Sequence, residues 1–540
     1  MRITTKVMQN NSLSNINTNK KLQDQLNTQM ATEKKINRPS EDPVVAIRAL
    51  RLRTNVSQIT QYYDKNSKDA ESWLSVTEDA LTTVSAVIED LIEQTTKGAN
   101  ENLTSADRNT ILNALKELRN EVYATGNADY AGRSIFTGYR TETSLKYKAD
   151  TEQRYSITEE ITGSDIDVIK HVTIGDLNSV NDANYNSAAN QTITEQGVTE
   201  NSIYRIRLAY SDVDGWDQRV DNNGKYICPT IQYYDPNATN ADGSLGAYVP
   251  LTDGNGAVVV PTVKSVNDAD NPYEGIGDDD LVLIKETGEL LMGKNVYEKL
   301  KTQEDNVNTA FDETSLLVTY EKSNWEKDDL RPEHYFKCED LSDPTDTVTY
   351  NANYIVPGEV VEKQAIEYDI GMNQTIRVNT TADEVFVHAI GRDVDDLISA
   401  MQEVVDMEET VARLESMAAD AKYNEDERKL INKQLDAAKK ALTYLDEKAQ
   451  KLFEGSISKM QGHLDTANLA TTNCGSRGMK LDLIQNRLMS QKTNFENLES
   501  ENENVDVTEV AVKLTSAELT YEAALMATGK IMQTSLMNYI

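Results

Sequence analysis

The chain has 540 residues, 39% of them apolar, with 25 Tyr against 6 Phe and 3 Trp. Its mean hydropathy is −0.57, which argues against one large globular core and for thin helices packed in pairs, with much surface for little interior. A formal net charge of −35 repels nucleic-acid phosphates and anionic membrane surfaces alike, so no nucleic-acid partner is expected.

The first forty residues are helical in tendency but weakly apolar. Leu13, Ile16, Leu22, Leu26 and Met30 are diluted by Asn, Gln and Thr. Alone, such a segment should be mostly disordered, so it needs a partner. The C-terminal helix is the nearest candidate and neighbouring subunits are the next. Met1 to Lys20 lacks the apolar run of a cleaved signal peptide.

Proline then punctuates the chain. Pro39 and Pro43 stand together, and the other eight run from Pro229 to Pro357. Proline breaks helix interiors, so long helices are permitted on both flanks of a loop-rich middle. From Val45, alternating steps of four and three give Val45, Ala49, Leu52, Val56, Ile59, Tyr63, Asn66, Ala70, Trp73, Thr77, Ala80, Val84, Val87 and Leu91. Only Asn66 and Thr77 are polar, which predicts one long helix over 44–98, about 80 Å in length, packed coiled-coil fashion. Ser40 or Asp42 can cap it, Pro43 suits its first turn, and Lys97-Gly98 closes it. A second helix follows over Ser105 to Ala124, with Ile111, Leu112, Leu115, Leu118 and Val122 on its apolar face. Asn127 to Gly138 reads as a turn and a short strand.

Residues 141–388 change character. Tyr204, Ile206, Leu208 and Tyr210 alternate with Arg205, Arg207 and Ala209, as do Ile376 and Val378 with their neighbours, which is strand period. Asp214-Gly215, Asn223-Gly224, Asp242-Gly243 and Asp253-Gly254 are turn signals. One or two β-rich domains are expected here.

Helix returns near Val394, with Leu397, Met401, Val404 and Val411, and becomes charged and Ala-rich over 407–451. A seam of Leu481, Ile484, Leu488, Gln491, Phe495 and Leu498 follows. After the acidic run 499–503, a last helix carries Val507, Val510, Leu514, Ala517, Tyr521 and Ala524.

No catalytic constellation is present in the sequence. His171, His334, His388 and His463 share no metal-ligand spacing, and Cys228, Cys338 and Cys474 form no C-x-x-C pair. There is no phosphate-binding glycine loop and no G-x-S-x-G elbow. Asp212 to Gly215 and Asp278 to Asp280 are too short for a calcium loop. No stretch approaches about 18 consecutive apolar residues, so no membrane insertion is expected. The chain reads as structural, without enzymatic activity, cofactor or metal.

The chain ends carry a specific resemblance. Met1 to Lys6 with Ser12-Leu13-Ser14-Asn15-Ile16-Asn17, and Lys35-Ile36-Asn37-Arg38-Pro39-Ser40-Glu41-Asp42-Pro43-Val44, resemble the bacterial flagellin superfamily. Within it, the match is closest to the branch that joins hook to filament. Gly132 to Gly138, Gly475-Ser476-Arg477 with Leu481-Asp482, Asn504 to Glu509, Leu519-Thr520-Tyr521 and Ser535-Leu536 are similar to that branch's motifs, in order. The Gly475 motif is expected to open the long C-terminal helix. The stretch 405–460 looks like an extension without a place in the pattern.

The resemblance implies an α+β, multidomain chain. A long antiparallel coiled-coil-like helical bundle would be formed by both chain ends, with an inserted β-rich outer domain. Residues 1–43 would be an inner helical segment pairing with 503–540, residues 44–140 and 389–502 the bundle, and 141–388 the insertion. The bundle seam would comprise Val45, Leu52, Val56, Ile59, Trp73, Val84, Leu91, Leu481, Ile484, Leu488 and Phe495. The assembly interface would comprise Leu13, Ile16, Leu22, Leu26, Val507, Val510, Leu514, Ala517, Tyr521, Ala524, Ile531 and Leu536. Implied partners are copies of the chain in a ring, a neighbouring hook-associated protein, flagellin on the filament side, and an export chaperone at the C-terminal helix. Export would use the flagellar type III route without a cleaved signal peptide. A filament flagellin is the second reading, and a coiled-coil surface adhesin or scaffold the third.

Asn and Gln on the terminal stripes can hydrogen-bond across subunits and fix their register, as a buried seam Asn does in coiled coils. Replacing Asn15 and Asn19 together by Ala is therefore expected to impair assembly, scored as loss of filaments by electron microscopy; unimpaired assembly would remove the basis of this idea.

Overall fold

The computed structural model describes residues 5–161, 165–216, 231–239, 243, 245–252, 258–268, 271–298, 300, 316–343, 346–354 and 364–533. Cys228, Asn223-Gly224, Asp253-Gly254 and Leu536 lie outside these. Long helices occupy both ends of the chain and strands fill its middle. On the N-terminal side are α1 (Thr5–Thr32), α2 (Pro43–Gln61), α3 (Ser67–Gly98) and α4 (Ser105–Thr125). On the C-terminal side are α5 (His388–Ala419), α6 (Glu425–Glu503) and α7 (Val507–Gln533).

The chain folds as two compact units. The first comprises Met1–Glu71, Glu367–Ile376 and Arg477–Ile540; the second comprises Ser72–Ile366 and Arg377–Ser476. In the first, α2 runs antiparallel to the C-terminal part of α6. Asn502 bonds the Val45 carbonyl at 3.2 Å, Asp64 pairs with Lys492 at 2.6 Å, and Gln485 reaches Glu71 at 3.0 Å. Partner numbers fall as residue numbers rise from α2 through the following turn into α3. Ala46, Ala49 and Ile59 are buried along this seam, with Leu481, Ile484 and Leu488 of α6. Val45, Leu52, Val56 and Phe495 are half-buried.

The expected uninterrupted helix over 44–98 is corrected in one place. Tyr62–Asn66 form a π-helical turn between α2 and α3, so one extra residue is accommodated where the heptad seam turns polar at Asn66. Asn66 turns instead to the Asp369 carbonyl at 2.7 Å. The other polar seam residue, Thr77, is buried and returns its hydroxyl to the Trp73 carbonyl at 2.8 Å. The Gly475 motif does not open a helix either: it lies inside α6, a single helix of 79 residues. Gly475 and Gly478 cost helix propensity there, but the flanking turns are held by packing.

In the second unit, α3 lies antiparallel to the middle of α6. Cys474 donates its thiol to the Leu74 carbonyl, and the Phe453 ring covers Gly98 so closely that a Cβ there would clash with it. Trp73, Val84 and Leu91 are buried. α4 begins with a capping box between Thr104 and Asp107. Arg108 joins it to Glu408 of α5 and Asp446 of α6, each at 2.6 Å, and Arg119 meets Asp395 at 2.7 Å.

The 405–460 extension is a helical hairpin. α5 and α6 run antiparallel on either side of a turn at 420–424, tied by Lys448 to Glu403 and Lys439 to Glu415, both at 2.7 Å. Ala437, Ala438 and Ala441 are fully buried against Met407, Leu414, Met417 and the segment around Leu177, Val180 and Tyr185. Small side chains let these backbones approach. Gln434 is buried there and donates to the Tyr185 and Asn190 carbonyls at 2.8 and 2.9 Å.

Among the described residues, the β-rich middle contains two larger sheets. A short hairpin, β1 (Asp129–Tyr130) and β2 (Arg133–Ser134), turns on Ala131 and Gly132, both with positive φ, as a two-residue turn requires. One sheet takes β3 (Thr151–Ile161) between Leu316–Trp325 and Lys337–Asp340; the other takes Thr199–Arg207 between Ile166–Thr173 and Glu289–Met292. The predicted alternation holds from Ile206 to Tyr210, but it fails before that: Arg205 is buried, paired with Glu289 and Asp396 at 2.6 Å, whereas Tyr204 is only half-buried.

Phe453 is fully buried against Gly98. Phe453→Ala should destabilise the second unit by about 3–5 kcal/mol through lost burial and the cavity it leaves, measured as a shift in the urea midpoint of the full chain.

Candidate assembly interface

The first unit brings the two chain ends together. α1 and α7 lie antiparallel, and their contact is made by Leu26, Val510 and Ala517 with Val505 and Leu514 beside them. Where α1 ends, a short antiparallel bridge forms between Lys34 and Asn504. Val505 N–H donates to the Glu33 carbonyl at 3.0 Å and Lys35 N–H to the Glu503 carbonyl at 2.7 Å.

Side chains lock this crossing. Glu503 is 5% exposed and accepts from Arg53 of α2, with Lys34 3.4 Å away. Lys34 also donates to Asn504 Oδ1 at 2.6 Å, and Gln29 to the Lys35 carbonyl at 2.7 Å. Next to it, Asp42 caps α2, accepting from Val44 and Val45 N–H at 3.0 and 3.1 Å, with Pro43 in the first turn. One buried carboxylate thus joins α1, α2 and the end of α6. The Arg53 hydrogen bond and charge, helped by Lys34, hold the Glu503 carboxyl below its usual range against the opposing effect of burial.

The expected interface residues divide. Leu26, Val510 and Ala517 are buried between the paired helices; Ile16, Leu514, Tyr521 and Ala524 are half-buried. Leu13, Leu22 and Val507 are exposed. The backbone of Ile531 falls in α7, and its side chain is outside the described residues. The covered stripe of α1 is largely polar: Ser12, Ile16, Asn19, Gln23, Leu26 and Gln29. Its apolar residues Val7, Met8, Leu13, Leu22 and Met30 face outward.

α7 carries a second apolar stripe that the single-seam reading missed. Val512, Leu519 and Met526 recur every seven residues and are 67%, 64% and 66% exposed. Val44, Ile47 and Leu50 form another exposed apolar face at the start of α2. The seven-residue spacing of 512, 519 and 526 was the available signal. These helices are also nearly neutral. α1 holds Lys6, Lys20, Lys21 and Asp24; α7 holds Lys513 and Lys530 against Glu509, Glu518 and Glu522. In a chain of charge −35, like-charge repulsion between copies is least here.

Among the described residues, no group of three His, Cys, Asp or Glu is placed to hold a metal ion, and no helix is long and apolar enough to cross a membrane.

Glu503 yields a pH prediction. Its folded pKa is depressed, so its pairing contributes stability that is present above the unfolded value of about 4.3 and is lost as pH falls through the folded value. Hydrogen exchange at Lys34 to Ile36 should accelerate across that acid window, and Glu503→Gln should abolish the dependence while raising exchange at neutral pH.

Residues 3–141 match the bacterial flagellin N-terminal helical region. Flagellar hook-associated protein 3 of Salmonella typhimurium is 28% identical over 184 residues, 33% of this chain and 58% of that protein. The protein of the same name from Escherichia coli is 29% identical over 178 residues, 32% of this chain and 55% of that protein. The chain therefore spans little more than half the length of these curated relatives. Among solved structures, FlgL of Xanthomonas campestris covers 82% of this chain and 98% of its own at 12% identity and a TM-score of 0.28. The flagellar junction protein FlgL of Legionella pneumophila covers 85% and 100% at 9% identity and a TM-score of 0.26.

Proposed function

We propose that this chain, whose residues 3–141 match the bacterial flagellin N-terminal helical region, is a structural subunit of the flagellar axis that joins hook to filament and supports motility. The observation that carries this reading is the state of the terminal helices. They pair within one chain through a mostly polar stripe and leave Val512, Leu519 and Met526 in water. Such stripes gain stability only when neighbouring copies cover them. The names of the curated relatives favour the junction over the filament.

Copies of the chain pack in a ring, through the terminal helices, with a hook-associated protein on one side and flagellin on the other. The weakly apolar terminal helices order on assembly, since alone they bury too little to offset the entropy of ordering. Before export through the flagellar type III route, a chaperone covers the outer stripe of α7. The β-rich middle and the α5–α6 hairpin lie outside this axial contact. No chemistry is assigned to them in this role.

Immuno-gold labelling of intact cells with antibody to residues 141–388 tests the reading. Label confined to the point where hook meets filament is expected. Label along the whole filament would make the chain a filament subunit, and label over the cell body would end the flagellar reading. Leu519→Asp should leave the melting temperature of the isolated chain within about 2 °C, as surface changes do, and abolish swimming by removing the apolar contact.

A further inference from the structure

A cleft of about 960 Å³ lies in the second unit between the strand Ile166–Thr173 and the α5–α6 hairpin. A cavity of about 600 Å³ adjoins it, since His171, Val266, Tyr273, Glu403 and Lys448 line both. Both fall in the size range of small-molecule sites.

A flat, fixed and uncharged platform stands where the two meet. The His171 and Tyr273 rings stack with centroids 5.1 Å apart and planes 14° apart. The Tyr273 hydroxyl donates to Glu289, which holds its ring in place. Asn271 and Glu274 lie 3.5 and 3.9 Å from His171 Nε2. Burial, helped by the charge of Lys448, pushes the His171 imidazole down to about 4, so the ring is neutral at physiological pH. Its side chain still keeps 18% of its surface accessible, in the cleft that it lines. Val266, 43% exposed, adds apolar surface to the same lining.

The polar groups of this cleft have bonding capacity to spare, and it is of both kinds. Among the described residues, the side chains of Lys264 and Asp176 make no hydrogen bond or ion pair. Asn178 takes the Thr410 hydroxyl on its Oδ1 at 3.3 Å and keeps its amide nitrogen free. Glu403 spends one oxygen on Lys448 and Asp406 one on Gln402, at 2.7 and 2.8 Å. The second oxygen of each is left over.

An anion in the cleft would meet Asp176, Glu403 and Asp406, and a cation would meet Lys264 and Lys448. A hydroxyl group donates and accepts at once, so it suits all of them. We infer that the cleft binds a short neutral oligosaccharide, with the C–H face of one sugar ring on His171 and Val266 and its hydroxyls on Asp176, Asn178, Lys264 and Asp406. The platform is in place before the ligand arrives, which lowers the ordering cost of binding. This site is independent of the flagellar role, and its failure would leave that role untouched.

Isothermal titration of the full chain with maltotriose, cellotriose and triacetylchitotriose tests it. Trigalacturonate, which carries a carboxylate on every ring, is the charged comparison. At least one neutral trisaccharide should bind, and trigalacturonate should bind at least about tenfold more weakly than it. Asp176→Ala and Lys264→Ala together remove two side chains that hold nothing in the free chain. This double variant should keep its melting temperature within about 2 °C of the parent. It should bind the same trisaccharide at least about tenfold more weakly, through loss of two hydrogen bonds. Absence of heat from all three neutral sugars at about 10 mM, where a millimolar site would be mostly filled, would overturn the assignment. So would trigalacturonate binding as tightly as the best neutral sugar, or unchanged affinity in the double variant.

Discussion

Glu503 sits where the first unit is decided. Two chain ends separated by most of the sequence must meet, and little apolar surface is available to bring them together. A carboxylate with 5% exposure is costly unless it is paired, and here Arg53 and Lys34 pair it. Its backbone carbonyl simultaneously takes the Lys35 N–H. The same residue therefore sets where α1 stops, where α6 stops and how α2 lies beside both. The antiparallel register of α1 on α7 follows from that crossing, since Leu26 can reach Val510 and Ala517 only if α1 ends where α7 begins.

The consequence is a unit whose terminal helices are paired but not saturated. α1 spends its Ser, Asn and Gln on the contact with α7 and leaves five apolar residues outside. In a monomer designed to remain single, these positions would be exchanged. The near-neutrality of both helices removes the other obstacle to close packing of copies, because the large negative charge of the chain lies elsewhere. Exposed apolar stripes, polar seams and low local charge are three independent properties that all favour the proposed association with further helices.

The second unit solves a different problem. Its helices are long, and each long helix needs cover along its length. α4, α5 and the irregular segment around Leu177 supply it, with alanines where backbones come closest. Arg108 is the counterpart of Glu503 in this unit: nearly buried and bound to Glu408 and Asp446, it fixes three helices at one point. Buried ions at helix crossings give register where an apolar seam alone would permit sliding.

Much of this was readable from residues alone. The period of the seam from Val45 located α2 and α3, since a 3.5-residue repeat needs no knowledge of the partner. Asp42 and Pro43 marked the helix start because capping is local chemistry. The alternation of Tyr204 to Tyr210 located a strand for the same reason. The sequence could not place the π turn at Tyr62–Asn66, which answers a contact with Asp369 some three hundred positions away. Nor could it show that Gly475 lies inside a helix of 79 residues, because glycine signals a helix end only where packing does not hold the turn. It also could not choose which stripe of α1 would be covered. That choice depends on Glu503 meeting Lys34 and Arg53, a three-way contact that exists only once the ends have been brought together. Local periodicity and capping thus determined the elements, while the tertiary structure decided the register and which apolar residues stay in water, because both depend on partners that are distant in the chain.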